Sequence, residues 1–277
     1  MEAFIGEAIE SVLGQDFEDF ELLLVDDGSS DGSTAVARDF ERRFPDRVRY
    51  LEHEGHANRG MSASRNLGIH HSAAPYIAFI DADDRWRSSK LLRQVAILDR
   101  EPDAAMVCGR VNYWESWRGG RDRLVFTGHV RDALSRPPEA LLRLYPLGVV
   151  DAPCPSDIMV RRSAVEAVGG FEESFTGFYE DMAFFVKIFA EFPVWFSTAV
   201  WLDYRRHDGS ASSRISPEEY RTIRRTLLDR FEDYLAGRPI AEKEKIRLAI
   251  ASARWELDHP LLGRLRRSVR SRLARRS

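Results

Sequence analysis

Short apolar runs alternate with stretches of helical periodicity over the first 110 residues, and this pattern limits the fold more than any other feature. The runs are FELLLV at 20–25, YIAFI at 76–80 and AAMVC at 104–108. Uninterrupted apolar runs bounded by turn signals are typical of strands that are buried on both faces of a sheet. Helices between such strands act as right-handed crossovers. The sequence therefore predicts an α/β fold with a Rossmann-like, mostly parallel sheet flanked by helices.

Size and composition exclude several classes of protein. The 277 residues are 44% hydrophobic, which excludes a disordered chain. Cys108 and Cys154 are too few for a disulfide framework and lack metal-ligand spacing, so we expect a reducing compartment. The longest strongly apolar stretch without charge, 192–202, has eleven residues, whereas a membrane-spanning helix needs about 20. Seven arginines and no acids lie in 263–277, so the rest of the chain is acidic, which argues against a nucleic-acid partner.

Two acidic clusters follow the first two predicted strands. Asp26 and Asp27 precede glycines, small residues and a helix, the arrangement by which doubly wound folds build a nucleotide pocket. In the second cluster, an extended chain would point Asp81 and Asp83 the same way. Convergent carboxylates suit Mg²⁺ or Mn²⁺, which usually bridge to substrate phosphates. The alternative is that these acids only stabilise the N-terminus of the following helix.

A phospho-acceptor receiver domain also places acids after an early strand and a later one. That domain needs a lysine further along the chain to contact the phosphoryl group. No lysine lies between Lys90 and Lys187. The sequence therefore disfavours a receiver domain, which stays the third interpretation.

Five motifs occur in an order that resembles the inverting family 2 glycosyltransferases of the GT-A fold. They are LLLVDDGSSDGST, NRGMSASRNLGI, YIAFIDADDRW, GGFEESFTGFYED and YRRHDGSAS. The resemblance covers residues 1–212 and implies a nucleotide-binding half at 1–109 and an acceptor half at 110–212. A helical extension with a basic tail would then occupy 213–277.

The resemblance implies roles for residues that would bind the donor, a nucleoside diphosphate sugar. Asp27 matches the acid that contacts the nucleotide base, with Asp26 as its neighbour. Arg65 matches an arginine near the base or diphosphate, and Asp81 matches the acid on the ribose side.

Metal binding and catalysis are assigned to four further residues by the same resemblance. Asp83 would hold Mn²⁺ or Mg²⁺, and His207 matches a histidine near the metal or diphosphate. Asp181 matches the catalytic base, and Glu180 supports it. The implied enzyme is a metal-dependent inverting glycosyltransferase whose hydroxyl acceptor belongs to a cell-surface polysaccharide or glycolipid.

Several of these residues also have simpler interpretations. Acids in a first helical turn, such as Glu180 and Asp181, often only stabilise the helix dipole, and His207 would be an ordinary solvated loop residue. His53 and His56 match no part of the family pattern, so we interpret them as loop residues.

The chain departs from the family pattern at its beginning. Family members normally open with an apolar strand and turn of the type VSVIIPxYN, whereas here Met1 leads directly into a predicted helix. We expect one absent central strand, explained by a start codon assigned too late, a truncation or a loss of activity. The last explanation gives the second hypothesis for function, a non-catalytic nucleotide-sugar-binding or scaffold protein.

Two aromatic or amphipathic features have alternative interpretations. Trp114 and Trp117 are either core residues or a sugar-stacking wall for the acceptor. Leucines spaced among the arginines of 262–277 predict either a basic amphipathic helix on an anionic membrane or a solvated tail. The sequence thus predicts a cytoplasmic protein, which in the first interpretation binds peripherally to the inner face of the cell membrane.

Overall fold

Helices and strands alternate through the first half of the chain in the computed structural model, which describes residues 1–128, 132–175, 177–209 and 215–274. These elements are α1 (Glu2–Leu13), β1 (Leu22–Asp26), α2 (Ser33–Arg43), β2 (Val48–Glu52), α3 (Met61–His71), β3 (Tyr76–Ala78), β4 (Arg85–Trp86), α4 (Lys90–Arg100) and β5 (Met106–Trp114). Helices α2, α3 and α4 lie between the three apolar runs, as the alternation in the sequence predicts.

Helices dominate the second half of the chain. Its elements are β6 (Arg123–Val125), β7 (Ala133–Ser135), α5 (Glu139–Arg143), β8 (Met159–Arg161), α6 (Arg162–Val168), α7 (Glu180–Glu191), β9 (Val194–Arg205), α8 (Pro217–Ala236), α9 (Lys243–Asp258) and α10 (Pro260–Ala274). A capping box begins α8, because Ser216 and Glu219 each accept a hydrogen bond from the other's backbone N–H. No described helix combines the length and apolar character that crossing a bilayer requires.

The sheet is mixed, so the prediction of a mostly parallel sheet is wrong although the α/β class is confirmed. Seven of the described strands form one sheet whose central order is β3-β8-β5-β9-β4, with β6 on β5 and β7 on β9. Among the described strands, only the pairs β1–β2 and β5–β9 are parallel. The reason is that β8 enters between β3 and β5 from the opposite direction, and a hairpin rather than a crossover helix follows β5.

Strands β1 and β2 form a separate two-stranded sheet. Within the described residues, β1 pairs only with β2 and β3 pairs only with β8, so each presents one edge without a strand partner. Leu23, Leu24 and Val25 of β1 are only half-buried, although their apolar character suits a fully covered strand. The expectation that one central strand of the family pattern is absent stays a prediction.

Helix α7 is the most buried of the helices whose side chains the structure describes, and it fixes the site described below. Phe184, Phe185 and Ile188 are at most 1% exposed, and the Phe184 ring stacks on Phe171 with centroids 4.5 Å apart. Apolar side chains of α8 and α9, such as Leu228, belong to the same hydrophobic cluster. The C-terminal helices therefore pack against the helix that begins with Glu180.

Candidate donor and catalytic site

Arg65 joins two of the predicted site segments. It lies on α3, and its Nη2 atom is 2.9 Å from Oδ1 of Asp81, while Nη1 is 3.8 Å from Oε1 of Glu180. Its side chain is only 10% exposed and its guanidinium lies over the Phe171 ring, 5.3 Å from the centroid. The positive charge of a buried arginine between two acids offsets the repulsion between their negative charges. The structure thus brings the predicted donor acid and the predicted catalytic pair around one arginine.

Asp81 and Asp83 face different partners, which corrects the expectation that they point the same way. Strand β3 ends at Ala78, and the Asp84 N–H donates to the Asp81 carbonyl at 3.0 Å, so the acidic segment is a turn. Alternation of side chains holds only along extended backbone. Asp81 consequently meets Arg65, whereas Asp83 Oδ2 lies 2.9 Å from Nε2 of His207.

Asp83 and His207 are suited to bind one divalent cation, and the donor would supply further ligands to it. In the part of the chain that the structure describes, no three His, Cys, Asp or Glu side chains are arranged to hold a metal. Mg²⁺ commonly takes one or two protein ligands together with substrate phosphates, so two converging side chains suffice. A carboxylate and an imidazole are both ligands that Mn²⁺ accepts.

Two residues that the sequence did not single out hold this acidic turn in place. Arg205 donates from Nε to the Asp83 carbonyl at 2.8 Å and from its backbone N–H to Asp84 Oδ1 at 3.0 Å. Ser156 Oγ accepts the Asp81 N–H at 3.0 Å. Burial and the charges of Asp81 and Asp83 raise the pKa of Asp84 well above its usual value. Asp84 is therefore a structural acid beneath the turn.

Aromatic rings enclose the guanidinium of Arg205, a residue that is 3% exposed. Its Cζ lies 4.3 Å from the Trp114 ring centroid, 4.7 Å from that of Phe4 and 5.0 Å from that of Trp117. Such contacts are favourable cation–π interactions. Trp114 is only 9% exposed, so the core interpretation describes it better than a sugar-stacking wall.

The predicted catalytic pair opens α7. Burial, and then the neighbouring charge of Asp181, raises the pKa of Glu180 to about 7, while Arg65 opposes the shift. Burial also raises the pKa of Asp181. Two contacts oppose this shift: the charge of Arg65, and the hydrogen bond that the Met182 N–H donates to Asp181 Oδ1 at 2.7 Å. Two coupled acids whose pKa values are displaced toward neutrality beside one arginine are typical of catalytic sites.

We expect Glu180→Gln to stabilise the protein at about pH 8 and to change it little at about pH 5. The folded state of the wild type holds the Glu180 proton between its ordinary pKa of 4.5 and its raised pKa of about 7. The contribution of Glu180 to the free energy of unfolding therefore falls progressively as the pH rises through that window. Urea unfolding should show a gain on the order of 2 kcal/mol at the higher pH. A gain that does not vary with pH would contradict the raised pKa.

The predicted base-contacting acids form a second cluster. Asp26 accepts hydrogen bonds from the Ser29 N–H at 2.8 Å, Thr34 Oγ1 at 2.5 Å and the Tyr50 hydroxyl at 3.0 Å. Burial would raise its pKa, but these hydrogen bonds outweigh burial and lower it. Its carboxylate therefore closes the turn before α2. The neighbouring Asp27 is the better candidate for contact with a nucleotide base.

Asp27 anchors the beginning of α3. Its Oδ1 accepts the Arg59 N–H at 2.7 Å and the Gly60 N–H at 3.0 Å, yet its side chain stays 25% exposed. Gly60 precedes the first residue of α3, and Arg65 lies five residues further. A helix rises 1.5 Å per residue, so Arg65 lies about 6 Å along the α3 axis from Met61, the residue after Gly60. Helix α3 therefore connects the cluster at Asp27 with the cluster around Arg65.

His53 and His56, interpreted from sequence as loop residues, lie at this second cluster. His53 Nε2 is 3.0 Å from Ser64 Oγ and 3.8 Å from Asp27 Oδ1. His56 contacts Glu52 at 2.9 Å, and its hydrogen bonds to Ser29 and Glu52 raise its pKa. No spacing rule marks these histidines, so only the fold reveals them.

The family model of glycosyl transferase family 2 matches residues 2–169. The chain belongs to glycosyltransferase family 2. The matched range contains Arg65 and both acidic clusters, whereas Asp181 and His207 lie beyond it.

A curated relative agrees with this assignment. EpsE of Bacillus subtilis (strain 168), which bears a glycosyltransferase name, is 29% identical over 196 residues, covering 69% of this chain and 63% of its own length. The matched part of the chain covers less than two thirds of the length of EpsE and of two further curated relatives.

Two solved structures share the fold. Residues 1–349 of S. aureus TarS in complex with UDP-GlcNAc superpose with a TM-score of 0.70 at 17% identity, covering 91% of this chain and 68% of that one. The Pyrobaculum calidifontis mannosyltransferase PcManGT in complex with GDP-Man and Mn²⁺ gives 0.52 at 18% identity, covering 95% and 71%. These similarities confirm the GT-A fold.

Proposed function

We propose that the chain is a metal-dependent inverting glycosyltransferase that moves a sugar from a nucleoside diphosphate donor to a hydroxyl acceptor. The observation that carries this proposal is the position of Arg65 between Asp81 and Glu180. The TarS and PcManGT complexes, which hold UDP-GlcNAc and GDP-Man, support a nucleotide-sugar donor. Within this proposal, residues 1–109 bind the nucleotide and 110–212 the acceptor, a polysaccharide or glycolipid, and 213–277 form the helical extension.

Asp181 is the base in this mechanism. Its carboxylate takes the proton of the acceptor hydroxyl as the acceptor oxygen attacks the anomeric carbon. The bond from that carbon to the diphosphate oxygen breaks in the same step, so the configuration inverts. Arg65 favours the ionised form of Asp181, because its guanidinium opposes the upward shift of the Asp181 pKa.

The donor diphosphate gains negative charge as it leaves. A divalent cation held by Asp83 and His207 would supply Lewis-acid stabilisation of that charge. The protein contributes the fixed position of its acidic turn, which Ser156 and Arg205 hold from two sides. Preorganisation of this kind lowers the barrier because the groups need not rearrange during reaction.

The activity is tested by incubating the protein with UDP- and GDP-sugars, Mn²⁺ and a panel of lipid-linked and soluble glycan acceptors. We expect release of nucleoside diphosphate together with a product of inverted anomeric configuration, read by NMR. A product with retained configuration would contradict the single displacement.

We also propose that the protein binds peripherally to the inner face of the cell membrane through 262–277. Leu261, Leu262 and Leu265 of α10 are 76%, 54% and 66% exposed, and arginines surround them in the sequence. Exposed leucines beside cationic side chains suit an anionic lipid surface.

Vesicle flotation tests this contact. We expect the protein to float with vesicles of about 30% phosphatidylglycerol in phosphatidylcholine and to stay behind with neutral vesicles. Leu262→Ser and Leu265→Ser should weaken binding, whereas Leu248→Ser, which alters a leucine of α9 that is 71% exposed, should not. Absence of binding to anionic vesicles would favour a solvated tail.

A further inference from the structure

Three tyrosine hydroxyls meet beside the catalytic pair. The Tyr145 hydroxyl is hydrogen-bonded to those of both Tyr179 and Tyr220, the latter at 2.5 Å. The ring centroids of Tyr179 and Tyr220 are 5.6 Å apart. We call Tyr145, Tyr179 and Tyr220 the tyrosine cluster. It joins the segment after α5, the residue before α7 and the first turn of α8.

Tyr179 holds an uncommon backbone conformation at the point where α7 begins. Its φ angle is 65°, in the left-handed region that side chains larger than glycine rarely adopt. A residue keeps such a conformation only when its surroundings fix it. Tyr179 is 7% exposed, and its carbonyl accepts the Ala183 N–H at 2.8 Å, so this residue sets the first turn of α7. The backbone of Tyr179 thereby determines where Glu180 and Asp181 point.

Helix α8 holds the tyrosine cluster from the other side. Arg224 of α8 is 3% exposed, its guanidinium lies 5.0 Å from the Tyr145 ring centroid, and it donates to the Pro146 carbonyl at 2.7 Å. The contact therefore links α8 to the beginning of α7, and both helices lie beyond residues 2–169, the range of the family model.

We propose that Tyr220 is a positioning residue that acts through Tyr145 and Tyr179 to fix the beginning of α7 and so orient Asp181. This inference rests on the proposed function, because Asp181 is the base only there. Tyr220 need not touch donor or acceptor. Its hydroxyl contributes by restraining a strained residue next to the base.

Tyr220→Phe tests the proposal, because it removes one oxygen and keeps the ring. We expect kcat to fall roughly tenfold, in line with the cost of small displacements of catalytic groups, while the KM for the donor is unchanged. The matched control is Tyr234→Phe, since Tyr234 also lies on α8 and its hydroxyl donates to Glu191 at the far end of α7. That variant should keep its kcat. If both variants lost kcat to the same extent, or if neither lost any, the positioning role would be overturned.

Amide hydrogen exchange of the same variants gives a readout independent of activity. We expect Tyr220→Phe to speed exchange at the beginning of α7, including Ala183, and Tyr234→Phe to speed it only at the end. Unchanged exchange at the beginning of α7 in Tyr220→Phe would overturn the inference even if the wild type transfers sugar. A wild type that transfers nothing would contradict the proposed function, and with it the role of Tyr220, while exchange still reports the tyrosine contact itself.

Discussion

Asp181→Asn is expected to lower the kcat of sugar transfer by about 10²–10⁴-fold, the usual contribution of a general base. Asparagine has nearly the shape of aspartate and can still accept the Met182 N–H, which now lies 2.7 Å from Asp181 Oδ1. It cannot take a proton from the acceptor hydroxyl. Because Arg65 contacts Asp81 and Glu180 directly, the donor site should keep its affinity. Steady-state transfer together with donor titration measures both quantities.

Two variants make this result specific. Glu180→Gln changes the neighbouring acid and should lose less activity, since in the proposed mechanism Glu180 supports the base and does not itself take the proton. Asp103→Asn makes the same chemical change at an exposed ion pair with Arg136 and should keep full activity. Full turnover by Asp181→Asn would remove that residue from its role. A wild type that binds donor but transfers to no acceptor would favour a nucleotide-sugar-binding protein instead.

Local patterns predicted the elements of the first half well. Apolar runs located β1 and β3, and helical periodicity located α2 and α3, because both signals depend on residues adjacent in the sequence. The order of the sheet could not be predicted in this way. Pairing of β8 with β3 and β5 is a contact between distant segments, and the two-residue β4 leaves no periodic signal.

The candidate site shows the same division. The motifs indicated Asp81 and Glu180, yet only the folded chain shows that Arg65 lies between them. Arg205 escaped notice because it is one arginine among many, and its role depends on aromatic residues far away in sequence. The predicted orientation of the Asp83 side chain was wrong because a turn, rather than extended backbone, follows β3.

Loss of metal-dependent donor binding in Asp83→Ala is the second large effect that we expect. Asp83 Oδ2 lies 2.9 Å from His207 Nε2, so the alanine variant would leave the imidazole as the one protein ligand of this pair. Mg²⁺ and Mn²⁺ bind weakly to a lone imidazole and need carboxylate oxygens. Asp208→Ala is the matched control, because Asp208 is fully exposed next to His207 in sequence.

Thermal unfolding with UDP or GDP, in the presence and absence of Mn²⁺, tests the central claim most directly. A ligand at about a hundred times its Kd adds roughly 2.7 kcal/mol, which raises the Tm of a domain of this size by about 5 °C or more. We predict such a rise in the wild type and in Asp208→Ala only when nucleotide and metal are both present, and no rise in Asp83→Ala. A rise that needs no metal, or that persists in Asp83→Ala, would contradict the assignment of Asp83 to a metal-bound donor site.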